Sequence, residues 1–436
     1  QVNAMAWSPD GTTLATAGYD QTVRLWNPTN AQNTAILTGH TGQVNAMAWS
    51  PDGTTLATAG YDQTVRLWNP TNPRNTTTLT GHTSSVRAMA WSPDGATLAT
   101  AGHGRTVRLW NPTSAQRTAT LTRHTSSVHA VAWSPDGTTL ATASIEGTVR
   151  LWDPTTRRNT ATLTGHTSSV EAMAWSRDGT SLATADLDGT VRLWNPTNAQ
   201  NTTTLTRQIS SVRAIAWSPD GTTLATAQDD GTVQLWNPTN GQRTATLTGH
   251  TGWVSAVAWS RDGTTLATGS GDHTVRLWNP INERNTATLT GHTGWVGAVA
   301  WSPDGTTLAT GSGDHTVRLW NPTTAQNTAT LTGHTGSVRA IAWSPDGTTL
   351  ATADYNGTVL LWSPTSAQDT TTPTPRLCIQ LFRNGQSAAW TGEQEMLWMT
   401  PDAWEHLGWQ VPGEDGAPLT LLPIEYYGPI PILDPA

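Results

Sequence analysis

Apolar residues alternate with small or polar ones through Val44-Asn45-Ala46-Met47-Ala48-Trp49, the period of a strand with one face in a core. The run stops at Ser50-Pro51-Asp52-Gly53, a turn sequence. Thr55–Ala59 is a second short β-rich run, followed by a turn at Tyr61-Asp62-Gln63. Thr64–Trp68 is a third, closed by Asn69-Pro70, and Asn75–Thr80 a fourth, rich in β-branched residues. No helical period appears. The pattern then starts again. Trp7 recurs as Trp49, Trp91 and onward to Trp343, and Trp26 recurs as Trp68, Trp110 and onward to Trp362, always 42 residues apart. Nine units cover residues 1–372. Two of them are nearly verbatim: Leu247–Pro280 and Leu289–Pro322 differ only where Ser255 becomes Gly297 and Arg261 becomes Pro303. One four-stranded unit cannot bury both faces alone. Copies stacked around an axis bury them and leave only short edges.

The repeat explains a lopsided composition of 24 Trp against one Phe. Charged residues are only 12% and the net charge is −8, which disfavours a general nucleic-acid binder. One cysteine, Cys378, excludes an intrachain disulfide framework and fits a reducing, cytoplasmic setting. No apolar run approaches the roughly 18 residues of a helical membrane span, and no signal peptide is visible, so no membrane association is expected. The chain opens on Gln1 rather than Met and is expected to be cut from a longer protein.

Gly-His, then a gap, then "TVRLW" followed by Asn or Asp, resembles the WD40-repeat β-propeller family. Only Trp152-Asp153 is a true Trp-Asp; seven units have Trp-Asn and the last has Trp362-Ser363. The resemblance implies an all-β fold: a propeller of nine four-stranded antiparallel blades over residues 1–374, the first repeat truncated. Residues 375–436 would form a small α+β cap. A smaller ring with displaced repeats is the alternative. Near-identical bacterial arrays of this family often form the C-terminal part of larger proteins, so a preceding domain is an expected partner.

His40, Thr58, Asp62 and Trp68 match the family's structural tetrad. The chemistry is that of buried polar groups that must be satisfied: a Thr hydroxyl serves both the imidazole and the indole N–H, and the acid takes the other imidazole proton. Three further units carry the full set. They are His166, Thr184, Asp188 and Trp194; His250, Thr268, Asp272 and Trp278; and His292, Thr310, Asp314 and Trp320. The rest depart, with Gly104, Glu146 or Asn356 at the acid, Gln208 at the His, and no His in the first unit; those blades are expected to be less rigid. A Thr–His–Asp set also suits nucleophilic catalysis, but no enzyme needs it in blade after blade. One His per repeat and no repeated Cys argue against a metal site, and no cofactor is expected.

Comparison between units separates scaffold from surface. "AWSPDG", "LATA" and "TVRLW" barely vary. Variation concentrates in three columns. Just before the repeated Val stand Trp253 and Trp295 where other units have Ser or Gln. Just after it come Arg87, His129, Glu171, Arg213 and Arg339. Just before the tetrad acid come Tyr19, Tyr61, His103 and Tyr355, with Gly271 and Gly313 beside the two Trp units. All three columns flank the fourth-to-first and second-to-third strand connections, which share one propeller face. Trp, Tyr and Arg dominate binding hot spots. The expected function is therefore non-catalytic: a scaffold or sensor that binds a protein or peptide through this face. The acidic, Trp-dotted surface suggests a ligand with basic and apolar groups. The alternative is a glycan-binding propeller.

In the last unit Thr370–Thr372 takes the place of the fourth strand, with Pro373 at its usual Leu, a substitution tolerable at an outer edge. Beyond Pro375 the sequence predicts a hairpin turning at Asn384-Gly385 and a short helix capped by Thr400-Pro401.

Overall fold

The computed structural model describes residues 2–364, apart from 30–32, 73–75, 187, 199 and 206–211, and beyond them the backbone of five strands between 377 and 423. The 42-residue unit folds as the alternation requires. In the second unit the strands are Val44–Trp49, Leu56–Gly60, Val65–Trp68 and Thr76–Leu79. They pair antiparallel in chain order, and eight units form four-stranded sheets of this kind. The Ser-Pro-Asp-Gly turn is held by its own side chains. Asp52 accepts from Ser50 Oγ at 2.6 Å, Ser50 Oγ accepts from Thr55 N, and Gly53 supplies the φ of 70° the turn demands.

The core lies between blades rather than within them. Ala57, Ala59, Val65, Leu67 and Leu79 of the second blade pack on Val86, Leu98 and Trp110 of the third. The same interlock recurs around the molecule, and the last cluster joins the ends: Leu14 and Trp26 of the first blade pack on Ala351, Val359 and Leu361 of the ninth. A second circle of contacts runs inside it. The Trp that ends each first strand donates its indole N–H to the preceding blade's first strand, as in Trp49 to Ala6 O at 3.1 Å and Trp91 to Ala48 O at 3.0 Å. Trp7 donates to Ala342 O at 3.3 Å, which closes nine blades into one ring.

The ninth blade departs from expectation. The strand beside Thr358–Trp362 is Leu377–Leu381, with Leu361 opposite Leu377 and Thr358 opposite Gln380. Thr370–Thr372, the expected fourth strand, lie outside the described residues, and Leu377–Leu381 takes the place beside Thr358–Trp362. An apolar, Pro-free run outcompetes a segment followed by Pro373 for the ladder, since Pro cannot donate to it. Ser387–Thr391 and Met396–Met399 extend the same sheet to six strands. Leu377–Leu381 and Ser387–Thr391 pair antiparallel on either side of the predicted Asn384-Gly385 turn, itself outside the described residues. The Thr400-Pro401 cap also lies outside them, and Gly408 and Trp409 open a strand, Gly408–Val411, rather than end a helix.

Candidate interaction face

Each tetrad bridges two connections of its blade. In the second blade Trp68 Nε1 donates to Thr58 Oγ1 at 2.7 Å, His40 Nε2 lies 2.9 Å from the same oxygen, and His40 Nδ1 lies 2.8 Å from Asp62. Burial lowers the His40 pKa, only partly offset by Asp62, and Arg66 lowers it further, so the ring is neutral at pH 7. Its single N–H goes to Asp62, and Thr58, wholly buried, donates to Nε2 while accepting from Trp68. Asp62 is also capped by Thr41 N and by Thr64. A hydroxyl so enclosed is a structural group, and the Thr-to-Trp bond recurs in all nine blades, from Trp26–Thr16 to Trp362–Thr352.

The seventh and eighth blades match the predicted sets in full. Trp278 donates to Thr268 Oγ1 at 2.8 Å, His250 Nε2 lies 2.8 Å from that oxygen, and His250 Nδ1 lies 2.8 Å from Asp272. Trp320 donates to Thr310 Oγ1 at 2.8 Å, with His292 Nε2 at 2.9 Å from it and His292 Nδ1 at 2.8 Å from Asp314. The fifth blade matches in three members of four. Trp194 donates to Thr184 Oγ1 at 2.8 Å and His166 Nε2 lies 2.7 Å from it, but the acid is not Asp188. His166 Nδ1 meets Asp186 at 2.7 Å, and Asp188 instead accepts from Thr167 Oγ1 at 2.8 Å. Asp186 ends the second strand, where other units carry mostly Gly or Ser, so its carboxylate reaches the imidazole from inside the sheet and is further held by Thr190 N.

Asp354 takes the same place in the ninth blade, 3.2 Å from His334 Nδ1, while Asn356 bonds Thr335 O. In the fourth blade Glu146 reaches His124 Nδ1 at 3.3 Å. Among the blades with a His in this position, the third alone lacks an acid. Gly104 leaves His82 with a pKa lowered to about 3 by burial and by Arg108, and leaves Thr106 Oγ1 buried without a partner.

The two flanking columns of the variable face are physically coupled. The backbone N–H before the tetrad acid donates to the carbonyl before the repeated Val: Tyr61 to Gln43 at 2.9 Å, His103 to Ser85 at 3.1 Å, Gly271 to Trp253 and Gly313 to Trp295 at 2.8 Å, Tyr355 to Ser337 at 3.0 Å. In these paired positions a large side chain on one partner meets a small or polar one on the other. Where Trp stands first, Gly stands second, and a Cβ on Gly271 would come 2.6 Å from the Trp253 ring, one on Gly313 2.5 Å from Trp295 Nε1. The rings lie directly on those backbones. Tyr19 and Tyr61 are each 47% exposed, Tyr355 56% and Trp253 41%, while Trp295 is half-buried.

The third column sits on the inner rim. Where it is Asn or Ser it ties neighbouring blades together: Asn45 donates to Val86 O at 3.2 Å and Ser255 to Val296 O at 2.7 Å. Gly297 cannot, and its missing side chain admits the Trp295 ring, which any Cβ there would strike. The other verbatim-unit difference is also structural, since Arg261 donates to Pro303 O at 3.0 Å across blades. His103 and His129 face each other with ring centroids 6.3 Å apart, and burial, Arg87 and His129 lower the His103 pKa. The Glu171 side chain lies outside the described residues.

Sequence columns did not reveal the contacts between blades. Arg213 pairs with Asp229 and lies over the Trp253 ring at 5.7 Å. Arg339 lies over Trp295 at 4.6 Å and over Tyr355 at 5.8 Å. Around the ring the order is Arg213, Trp253, Trp295, Arg339, Tyr355, a sector of aromatic rings under cations across blades six to nine. Each Trp thus carries a guanidinium, the one over Trp253 paired with Asp229 and the one over Trp295 without a carboxylate among the described residues, so a ligand cation would meet repulsion at Trp295.

The WD domain, G-beta repeat model matches residues 241–279, 283–321 and 325–363. The model for the IFT122 first beta-propeller matches 71–237, and that for the WDR19 first beta-propeller matches 2–137. No curated protein matches the chain. Among solved structures, that of the computationally designed Ika8 protein is similar with a TM-score of 0.58 and 23% identity, over 73% of this chain and 96% of that one, a likeness of fold alone. With family models reaching from residue 2 to residue 363 over a closed ring of blades that share the Thr–Trp bond, the chain belongs to the WD40-repeat β-propeller family.

Proposed function

We propose that this propeller is a non-catalytic scaffold that binds a protein or peptide segment on the face carrying Trp253 and Trp295, in a cytoplasmic setting and as part of a larger protein. The carrying observation is the coupling of columns. On a largely repeated scaffold, paired loop positions exchange large side chains for small ones, and two glycines make room for rings that stay partly open to solvent. Aromatic and Arg groups fixed in this way resemble binding hot spots, with little side-chain entropy left to lose on association. The glycan reading calls for a bare aromatic face, and Arg339 at 4.6 Å already covers one side of Trp295.

Selection of a displayed random-peptide library against the full chain tests this reading. Selected peptides are expected to bind at least tenfold more weakly to a Trp253→Ala/Trp295→Ala variant with an unchanged thermal transition. Peptides indifferent to both substitutions would place any binding elsewhere and remove this face from the account.

A further inference from the structure

The sector across blades seven to nine supports a narrower statement, which rests on the function just proposed. Arg339 is exposed and stacked on two rings, Trp295 at 4.6 Å and Tyr355 at 5.8 Å. Stacking uses the face of a guanidinium and leaves its edge N–H donors available. Trp295 cannot drop away from the Arg, because its ring already rests on the backbone at Gly297 and Gly313. The guanidinium is therefore held from below and from one side.

Among the described residues no carboxylate pairs with Arg339. Its counterpart differs: Arg213 lies over the Trp253 ring at 5.7 Å and is paired with Asp229. The column that supplies Asp229 has Gly313 and Tyr355 around Arg339 instead. Of the acids in that blade, Asp346 is held in its turn by Ser344 Oγ and by Thr348, and Asp354 is buried and engaged with His334 and with the N–H groups of Thr358 and Gly336. On a chain of net charge −8, the rim column holds Arg87, Arg213 and Arg339 against Glu171.

We propose that Arg339 reads the carboxylate of an Asp or Glu side chain in an extended peptide, with a flanking apolar residue seated on the exposed part of Trp253. Charge complementarity selects this partner over a basic one. An oriented guanidinium edge favours a planar two-oxygen acceptor, which two parallel N–H···O bonds satisfy.

The test uses the fluorescently labelled full chain on an array of Gly/Ser peptides. Each carries one central Asp, Glu, Gln, Lys or phosphoserine flanked by Leu or Trp. Asp and Glu spots are expected to retain at least tenfold more protein than matched Gln spots, and Lys spots least. Arg339→Ala should erase that preference, Arg339→Lys should keep part of it, and Arg284→Ala, which removes an exposed charge on an outer strand, should leave it intact. Equal Glu and Gln signals that still depend on Trp253 and Trp295 would overturn the carboxylate assignment while leaving the binding face standing. Binding confined to phosphoserine would overturn it in favour of a phosphopeptide. No binding to any spot would overturn both.

Discussion

Restoring the missing acid of the third blade is the most direct test of the tetrad chemistry. Gly104 occupies the turn position that Asp62 holds in the second blade, and the following residue has the same left-handed backbone in both, φ 66° at Gln63 and 60° at Arg105. A Cβ at Gly104 would find Thr83 Oγ1 at 3.3 Å and Thr106 Oγ1 at 3.9 Å, so a side chain fits with a small turn of one hydroxyl. In Gly104→Asp the carboxylate should accept from His82 Nδ1, from Thr83 N and from the unpartnered Thr106 Oγ1, as Asp62 does from His40, Thr41 and Thr64. Burial of the acid is a cost, yet in Asp62 the hydrogen bonds outweigh it and the pKa falls. At about 0.5–1.5 kcal/mol for each bond, less the desolvation of the carboxylate, the net gain is about 2 kcal/mol. Hydrogen exchange read by mass spectrometry over residues 86–121 should then slow by about 30-fold where it proceeds by opening of the blade. Gly104→Asn, uncharged and of the same shape, should gain much less. Unchanged or faster exchange in a correctly folded Gly104→Asp protein would refute the view that the acid stabilises the blade through the imidazole and its neighbours.

Two further outcomes follow from the same network. Thr58→Val strands both Trp68 Nε1 and His40 Nε2 and should destabilise by about 2–4 kcal/mol, whereas Thr16→Val in the first blade strands Trp26 alone and should cost about half as much, a difference readable from urea midpoints. Burial lowers the pKa of His82 to about 3 and of His124 to about 4, so between those values and the ordinary 6.5 the unfolded chain binds more protons. Their stabilisation is complete above pH 6.5 and is lost, at about 1.4 kcal/mol per pH unit per group, as pH falls from there to the folded values; a urea midpoint unchanged between pH 7 and pH 5 would contradict this.

The blades were legible because each unit serves as a control for the others. A residue kept through the repeats, such as Thr58 or Trp68, is scaffold, and one that changes is surface. By the same logic Thr184 with Trp194, Thr268 with Trp278 and Thr310 with Trp320 read as scaffold pairs, and each pair is hydrogen-bonded. That logic fails where two candidates differ by one step of the strand. Asp186 and Asp188 are both acidic, and only the strand geometry decides which reaches His166. The signal was present in the Asp at a position otherwise held mostly by small residues, Gly18, Gly60, Ser270 and Ser312 among them. The outer strand of the ninth blade was missed for a different reason: Leu377–Leu381 occurs once, so no second copy marks it. Pairs such as Arg339 and Trp295 belong to columns of different units and meet only because the ring sets the blades side by side.

The circle of indole bonds has a consequence for how such a chain changes size. The joint between Trp7 and Ala342 is made from the same two residue types, at the same two positions, as the eight joints within the chain. No joint carries a mark of its own, so a gene that gained or lost one unit would still encode a matching pair at every seam. The blade number is a property of the opening angle that all joints share, summed around the circle. Recombination between near-verbatim copies such as Leu247–Pro280 and Leu289–Pro322 would thus be tested by the geometry of closure, not by the chemistry of any single contact.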